Sequence, residues 1–366
     1  MERKIKVLVI GSYDVIHTSR PEAEIIIGLA NAGFEMTVMT HADTEYTRRF
    51  KEYGVKVIPF HPEKKFRRAE SQRIRAELID GRYDILQLYT SKAIINGLRA
   101  ARGLKVKVVL YRGYAGHIHW YDPAAYLKYL HPRVDKIVCN SVGVEAHFRQ
   151  QLFLSKSKLV TINKGHDLAW YHDITPLDLT TLGIPTTAFV VSCMANVRPM
   201  KGIKYLLQAM DFIPNELPIH FVLGGDGTDS AEFRQIMESS PNATKIHLLG
   251  HRTDALRIIA ASKVFALASI KGESITRAVQ EAMALGIAPV ITDIPGNKEL
   301  VEHGISGLVE PMKNPKALAG AILSLYNNPD LYQKLSRGAR NHIATKLSHQ
   351  RTVEQMKALY EEILNS

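Results

Sequence analysis

The segment IKGESITRAVQEAMALGIAPVITDIPGNKELVEHGISGLVEP, residues 270–311, carries more fold information than any other stretch of the chain. An apolar strand ends near Ser269, a loop follows with Glu273, and apolar spacing predicts a helix from about Ser274 to Leu285 that Gly286 stops. PVITD and GLVEP read as two further strands. Glu281 comes eight positions after Glu273, so the two carboxylates do not share a helical turn, yet both can reach a ligand at the helix start. On that placement the first-turn amides of Ser274, Ile275 and Thr276 have no intrahelical acceptor. Free N–H groups and the positive end of the helix dipole favour an anion there.

Upstream, the alternation continues through AFVVSCMA (188–195), IHFVLGG (219–225), KIHLLG (245–250) and VFALAS (264–269). The first half repeats it with KVLVIG (6–11), MTVMT (36–40), VKVIPF (55–60), DILQLY (84–89), KVVLYRG (107–113), KIVCNS (136–141) and a last run opening KLVTI (158–162). Short all-apolar runs between helical stretches indicate parallel sheets buried on both faces. Residues 171–187 mix Pro, Gly, Thr and Asp without helical periodicity and read as a linker. The expected fold is therefore α/β with two Rossmann-like domains, 1–170 and 188–347. The amphipathic helix 348–366, with Val353, Met356, Leu359, Tyr360 and Ile363 at helical spacing, either finishes the second domain or crosses back to the first. A cleft between the carboxyl ends of two such sheets is where ligands are expected.

The chain has 366 residues, 46% hydrophobic and 23% charged, which suits two domains with a core each. Its two cysteines, Cys139 and Cys193, fit neither a disulfide framework nor a zinc site and suit a reducing cytosol. The opening apolar run, VLVI, is too short for a signal peptide, and no run approaches the roughly 18 residues of a membrane span. A cytoplasmic protein, soluble or peripheral at a membrane, is expected. The net charge of +11 is concentrated in residues 1–180, where 28 Lys and Arg face 19 Asp and Glu. EKKFRRAESQRIR (63–75) gathers six of those cations around Phe66. Such a cluster suits an anionic membrane surface and equally a solvated face; without an RNA or DNA module, nucleic acid is not expected.

The 270–311 segment resembles the E-x7-E region of retaining GT-B glycosyltransferases of the family 4 type, which use nucleotide sugars. Glu273, then Glu281-Ala282-Met283-Ala284-Leu285-Gly286, PVITD, PGNKEL and GISGLVEP follow that family's order over some forty residues. The resemblance extends to CMANVRPMKGIKYLLQAM (193–210), which looks like the strand, loop and helix whose Arg and Lys-Gly grip the diphosphate; here these are Arg198 and Lys201. It implies that Glu281 accepts from the ribose hydroxyls and that Glu273 contacts the donor sugar or steadies charge at the anomeric carbon. It also implies that Gly225, His251 and Arg252 lie beside the nucleotide. The family often has glycines where this chain has Ser274 and Thr276. GGDGT (224–228) matches a signature of lipid and NAD kinases, but it falls where the family has its V-G-x-G strand end, so turn chemistry explains it.

For the first domain the likeness is looser. It implies an acceptor site and a His near the transferred sugar, for which His117 and His119 both stand just beyond a strand end; Asp14, His17 and Arg20 either contact the acceptor or cap the first helix. The catalytic candidates are Glu273, His117, Arg198 and Lys201. No D-x-D and no His/Asp cluster with metal spacing occurs, so neither a metal nor another cofactor is expected. The implied partners are a nucleotide sugar and a glycan or glycolipid acceptor in bacterial surface polysaccharide or lipopolysaccharide assembly. A non-catalytic nucleotide-sugar-binding relative is a second reading, and a GGDGT-type lipid or NAD kinase a third.

Overall fold

The computed structural model describes residues 3–114, 116 and 118–365. The chain divides into two compact units, Met1–Gly165 with His349–Ser366, and His166–Ser348.

In the first unit seven strands, β1 (Lys6–Ile10), β2 (Glu35–Thr40), β3 (Lys56–Pro59), β4 (Ile85–Leu88), β5 (Lys107–Arg112), β6 (Lys136–Cys139) and β7 (Leu159–Thr161), form one sheet in the order β3-β2-β1-β4-β5-β6-β7. Every pairing is parallel; Val7 stands between Met36 and Ile85. Strand side chains alternate between faces. Leu8, Ile10, Leu86, Leu88, Val108 and Leu110 pack on one side with Ile74, Ile94 and Phe148. Val7, Val9, Ile85, Val109 and Val138 pack on the other with Ile26, Leu29 and Met36. Two covered faces favour apolar strand residues, and the few polar ones, such as Thr37 and Gln87, are buried with them.

The final helix, His349–Asn365, belongs to this unit. Met356, Leu359, Tyr360 and Ile363 are buried among the second set, and the Tyr360 hydroxyl donates to Gln87 Oε1 on β4 at 3.1 Å.

The second unit holds six parallel strands, β8 (Phe189–Met194), β9 (Ile219–Gly224), β10 (Ile246–Leu248), β11 (Val264–Leu267), β12 (Ala288–Thr292) and β13 (Leu308–Glu310), ordered β10-β9-β8-β11-β12-β13. Residues 171–187 are packed onto it: Ile184 is 1% exposed, and the Leu177 N–H donates to the Arg257 carbonyl at 2.9 Å. Each sheet begins in its middle, builds outward one way, then reverses to add its fourth strand on the opposite side. The reversals lie between β1 and β4 and between β8 and β11. In open parallel sheets ligands bind outside the carboxyl ends of the strands at such points.

Candidate active site

The loops leaving β8 and β11 flank the second reversal. After β8 the chain passes Arg198 and makes one turn of 3-10 helix, Pro199–Lys201, ending at Gly202. Gly202 has φ +61°, and a Cβ there would lie 2.1 Å from the Ala268 carbonyl oxygen beyond β11, so only glycine lets the two loops meet this closely. Their meeting brings Lys201 Nζ to 2.6 Å from Glu273 Oε1, with the side chains 16% and 10% exposed. Glu273 also accepts from the Ser269 hydroxyl at 3.0 Å on Oε1 and from the Thr276 hydroxyl at 3.2 Å on Oε2. Arg198 is exposed and enters no ion pair among the described residues.

The helix after Glu273 runs over Arg277–Ala284, three residues shorter at its start than the apolar spacing predicts. Thr276 is extended (φ −78°, ψ 116°), and its hydroxyl serves Glu273 rather than capping the helix amides. The residues expected to open the first turn, Ser274, Ile275 and Thr276, therefore form the buried approach to the helix, and the Ile275 side chain joins the core. Glu281 is 15% exposed on its side chain and has Arg277 Nε 3.4 Å away, one turn earlier.

Beyond β9, Gly225 adopts φ +136°, and a Cβ would meet the Ala195 carbonyl oxygen at 2.3 Å. Thr228 is buried, with its hydroxyl donating to the Gly225 carbonyl and accepting from the Gly250 N–H. The GGDGT residues thus fasten the β9 and β10 loops together. His251 and Asp226 form an exposed pair at 2.9 Å, whereas Arg252 grips Asp254 through two bonds of 2.8 and 2.6 Å.

Among the described residues, the expected acceptor residues of the first unit make separate contacts. Asp14 is exposed just beyond β1, where its Oδ1 accepts from the Ser12 hydroxyl at 2.8 Å, and that bond holds the carboxyl below its usual range. Arg20 bonds the Tyr46 hydroxyl. His119 bonds Gln151 at 2.7 Å, beside the last turn of the helix Val142–Leu152 and away from the β1 loop. His17 lies in the helix Ile16–Asn31 and its side chain, like the whole of His117, falls outside the described residues.

Residues 178–342 match the family described as Glycosyl transferases group 1, and residues 23–170 match Glycosyltransferase Family 4. The chain belongs to the GT-B glycosyltransferases of the family 4 type. It is 26% identical over 298 residues to the UDP-Gal:alpha-D-GlcNAc-diphosphoundecaprenol alpha-1,3-galactosyltransferase of Escherichia coli, covering 77% of this chain and 76% of that one. It is 24% identical over 191 residues to the N-acetyl-alpha-D-glucosaminyl L-malate synthase of Bacillus anthracis, covering 51% of this chain; the match spans only half (50%) of that relative's length. A glycosyltransferase of Rickettsia africae ESF-5 shares the fold over 100% of both chains, with a TM-score of 0.83 at 17% identity.

Within this GT-B frame, some residues of interest escaped the sequence reading. Ser269 is one, and together with Thr276, which was expected at the site, it orients Glu273. Arg112, at the end of β5, donates to the carbonyls of Tyr114 and Gly116, both at 2.8 Å. His41 and His61 each stand just past a strand end, the place where α/β sheets present ligand-binding groups.

Proposed function

We propose that the chain transfers a sugar from a nucleotide-diphosphate sugar, held by the second unit, to an acceptor hydroxyl held by the first, with retention and without a metal. The observation that carries this reading is the Lys201–Glu273 pair at the β8/β11 reversal, with Glu281 on the helix that follows. Lysine offers three donors. One serves Glu273, and two are left for diphosphate oxygens. A carboxylate offers about four acceptor positions. Lys201, Ser269 and Thr276 take three on Glu273, leaving one for a donor-sugar hydroxyl.

In the reaction the acceptor oxygen bonds the anomeric carbon while the bond to the diphosphate breaks with its electron pair. The acceptor proton leaves with the diphosphate. Lys201, joined by the exposed Arg198, offsets the charge that develops there, the part a divalent ion plays elsewhere. Glu281 receives the ribose hydroxyls; Gly225, His251 and Arg252 border the base. Retention is carried from family likeness.

Two relatives are named for an anionic acceptor, one diphosphoundecaprenol and one L-malate. These support an acceptor bearing negative charge and a place in surface polysaccharide or glycolipid assembly. The exposed run 63–69, with Lys64, Lys65, Arg67 and Arg68 about Phe66, supports work at an anionic membrane face. Among the described residues no helix is long and apolar enough to cross a membrane.

A thermal-shift panel of UDP, GDP, ADP and their sugars tests the reading. One nucleotide raises the Tm, by about 2.7 kcal/mol of stabilisation at a hundredfold excess over Kd, and Lys201→Ala removes the shift. Binding of none overturns the enzyme assignment.

A further inference from the structure

The reversal in the first sheet gathers groups that the reaction above leaves unused. Asp14 follows β1, His41 follows β2, His61 follows β3, and Lys92 follows β4. The His41 and His61 rings lie 4.8 Å apart at 32°, and His61 Nε2 is 3.2 Å from the Thr90 hydroxyl. Both imidazoles are half-buried, while Asp14 and Lys92 are exposed; this cluster at the strand ends is here termed the mouth.

Its bonding capacity is largely unspent. Among the described residues His41 contacts the His61 ring but makes no side-chain hydrogen bond, and the Lys92 ammonium enters no ion pair. Burial first, then the charges of His41 and Lys92, press His61 down to about 4, against a weaker pull from Asp14. His61 is therefore neutral at pH 7, with one ring nitrogen able to donate and the other to accept. Packing alone does not account for these groups. A structural histidine pair would spend its nitrogens on the protein, and an exposed lysine beside two imidazoles adds repulsion in acid.

We propose that this mouth binds a hydroxylated phosphate monoester or diester as the recognition element of the acceptor, with Lys92 and the two imidazoles on the phosphate oxygens and Asp14 accepting from a neighbouring hydroxyl. The inference rests on the glycosyl-transfer reading and adds the acceptor's chemical class. Lysine binds phosphate as a point charge, and imidazole N–H groups add direction. Asp14 rejects a bare anion but accepts one that brings its own hydroxyl, so the site distinguishes a polyol phosphate from inorganic phosphate.

The test uses the full chain labelled with 15N in its histidine rings. Glycerol phosphate is titrated in, with glycerol and inorganic phosphate as controls, and vesicles of phosphatidylcholine doped with phosphatidylinositol as the lipid arm. Glycerol phosphate is expected to shift the His41 and His61 signals saturably, inorganic phosphate more weakly and glycerol not at all. Lys92→Ala, a surface change that leaves folding intact, weakens this binding about tenfold, the loss of one charge-assisted bond. Saturation by vesicles alone assigns the phosphate to a lipid headgroup; saturation by glycerol phosphate assigns it to a soluble ester. Unmoved ring signals in both arms, or shifts that persist in Lys92→Ala, overturn the proposal. UDP thermal shifts measured on the same samples separate the two claims: retained UDP binding with silent histidines removes only this one, and lost UDP binding removes the donor site.

Discussion

Between β8 and β11 of the second unit an ammonium and a carboxylate close on each other at 2.6 Å, and two hydroxyls hold the carboxylate in place. Between β1 and β4 of the first, a carboxylate, two imidazoles and an ammonium stand near one another, with no ion pair among the described residues. The strand order around the two reversals is the same. The difference lies in what the loops carry. A pre-paired site suits a ligand of constant chemistry, since its groups are already oriented and reorganise little. An unpaired one suits a ligand that itself completes the charge balance. The contrast fits a donor diphosphate common to a whole family and an acceptor particular to one member.

The largest expected effect strikes the paired site. Lys201→Met leaves the nearly buried Glu273 carboxylate with only hydroxyl partners. Transfer should fall about 10²–10³-fold, and the second unit should lose roughly 1–3 kcal/mol. Adding Glu273→Gln removes the stranded charge, so the double variant regains stability but not activity. Kinetics and urea unfolding on the two variants check this. If the double variant is no more stable than the single one, the pair contributes nothing to folding and the contrast with the first unit weakens.

Much of the second unit was readable from residues 188–311, because helix stops, strand runs and the glutamate spacing all lie close together in sequence. The Lys201–Glu273 contact was not, since its partners stand seventy-two residues apart and meet only because Gly202 admits the β11 loop. The helix start was misplaced because the apolar spacing was carried back to Ser274, whereas Thr276 is extended and its hydroxyl turns to Glu273. In the first unit the strand runs were equally plain. The mouth residues were harder to see, because His41 and His61 come from separate loops that only the sheet order makes neighbours. His117 and His119 were singled out for standing beyond a strand end; the same rule applied to the ends of β2 and β3 would have found both histidines of the mouth.

A smaller effect sharpens the claim that the donor site is pre-oriented. Thr276→Val keeps the shape of the side chain and deletes its bond to Glu273 Oε2. We expect kcat to fall about tenfold with the donor KM little changed, and Thr276→Ser to restore most of the rate. An unchanged kcat, or a loss shared equally by Thr276→Ser, would mean that Lys201 and Ser269 alone orient the carboxylate.

The smallest effect concerns acid, and it sets one histidine pair from each unit against the other. In the second, His220 Nδ1 and His247 Nε2 face each other at 3.1 Å on neighbouring strands, so the contact holds one proton, not two. Burial and then His220 press His247 down to about 4, while burial and then Lys245 lower His220. In the first, His61 is likewise near 4, through burial, His41 and Lys92, with Asp14 opposing. Both groups are neutral when folded and take up a proton near their ordinary pKa of 6.5 when unfolded. Below that value the unfolded chain binds more protons, so the stability they confer is complete above about pH 6.5 and declines as pH falls towards 4. Each should contribute roughly 1 kcal/mol once solvent screening of these part-exposed rings is allowed for. Urea unfolding at pH 7.5 and pH 5 should show a smaller acid loss in His247→Gln and in His61→Gln than in the parent chain. His131, His147 and His342 are also lowered and set a background common to all three proteins. The units separate when glycerol phosphate is present: an anion in the first mouth favours protonated imidazoles and reduces the acid loss attributed to His61, whereas the His220–His247 contact has no such ligand and keeps its full slope. Equal slopes with and without the ester would leave the first reversal as closed to ligand as that strand pair.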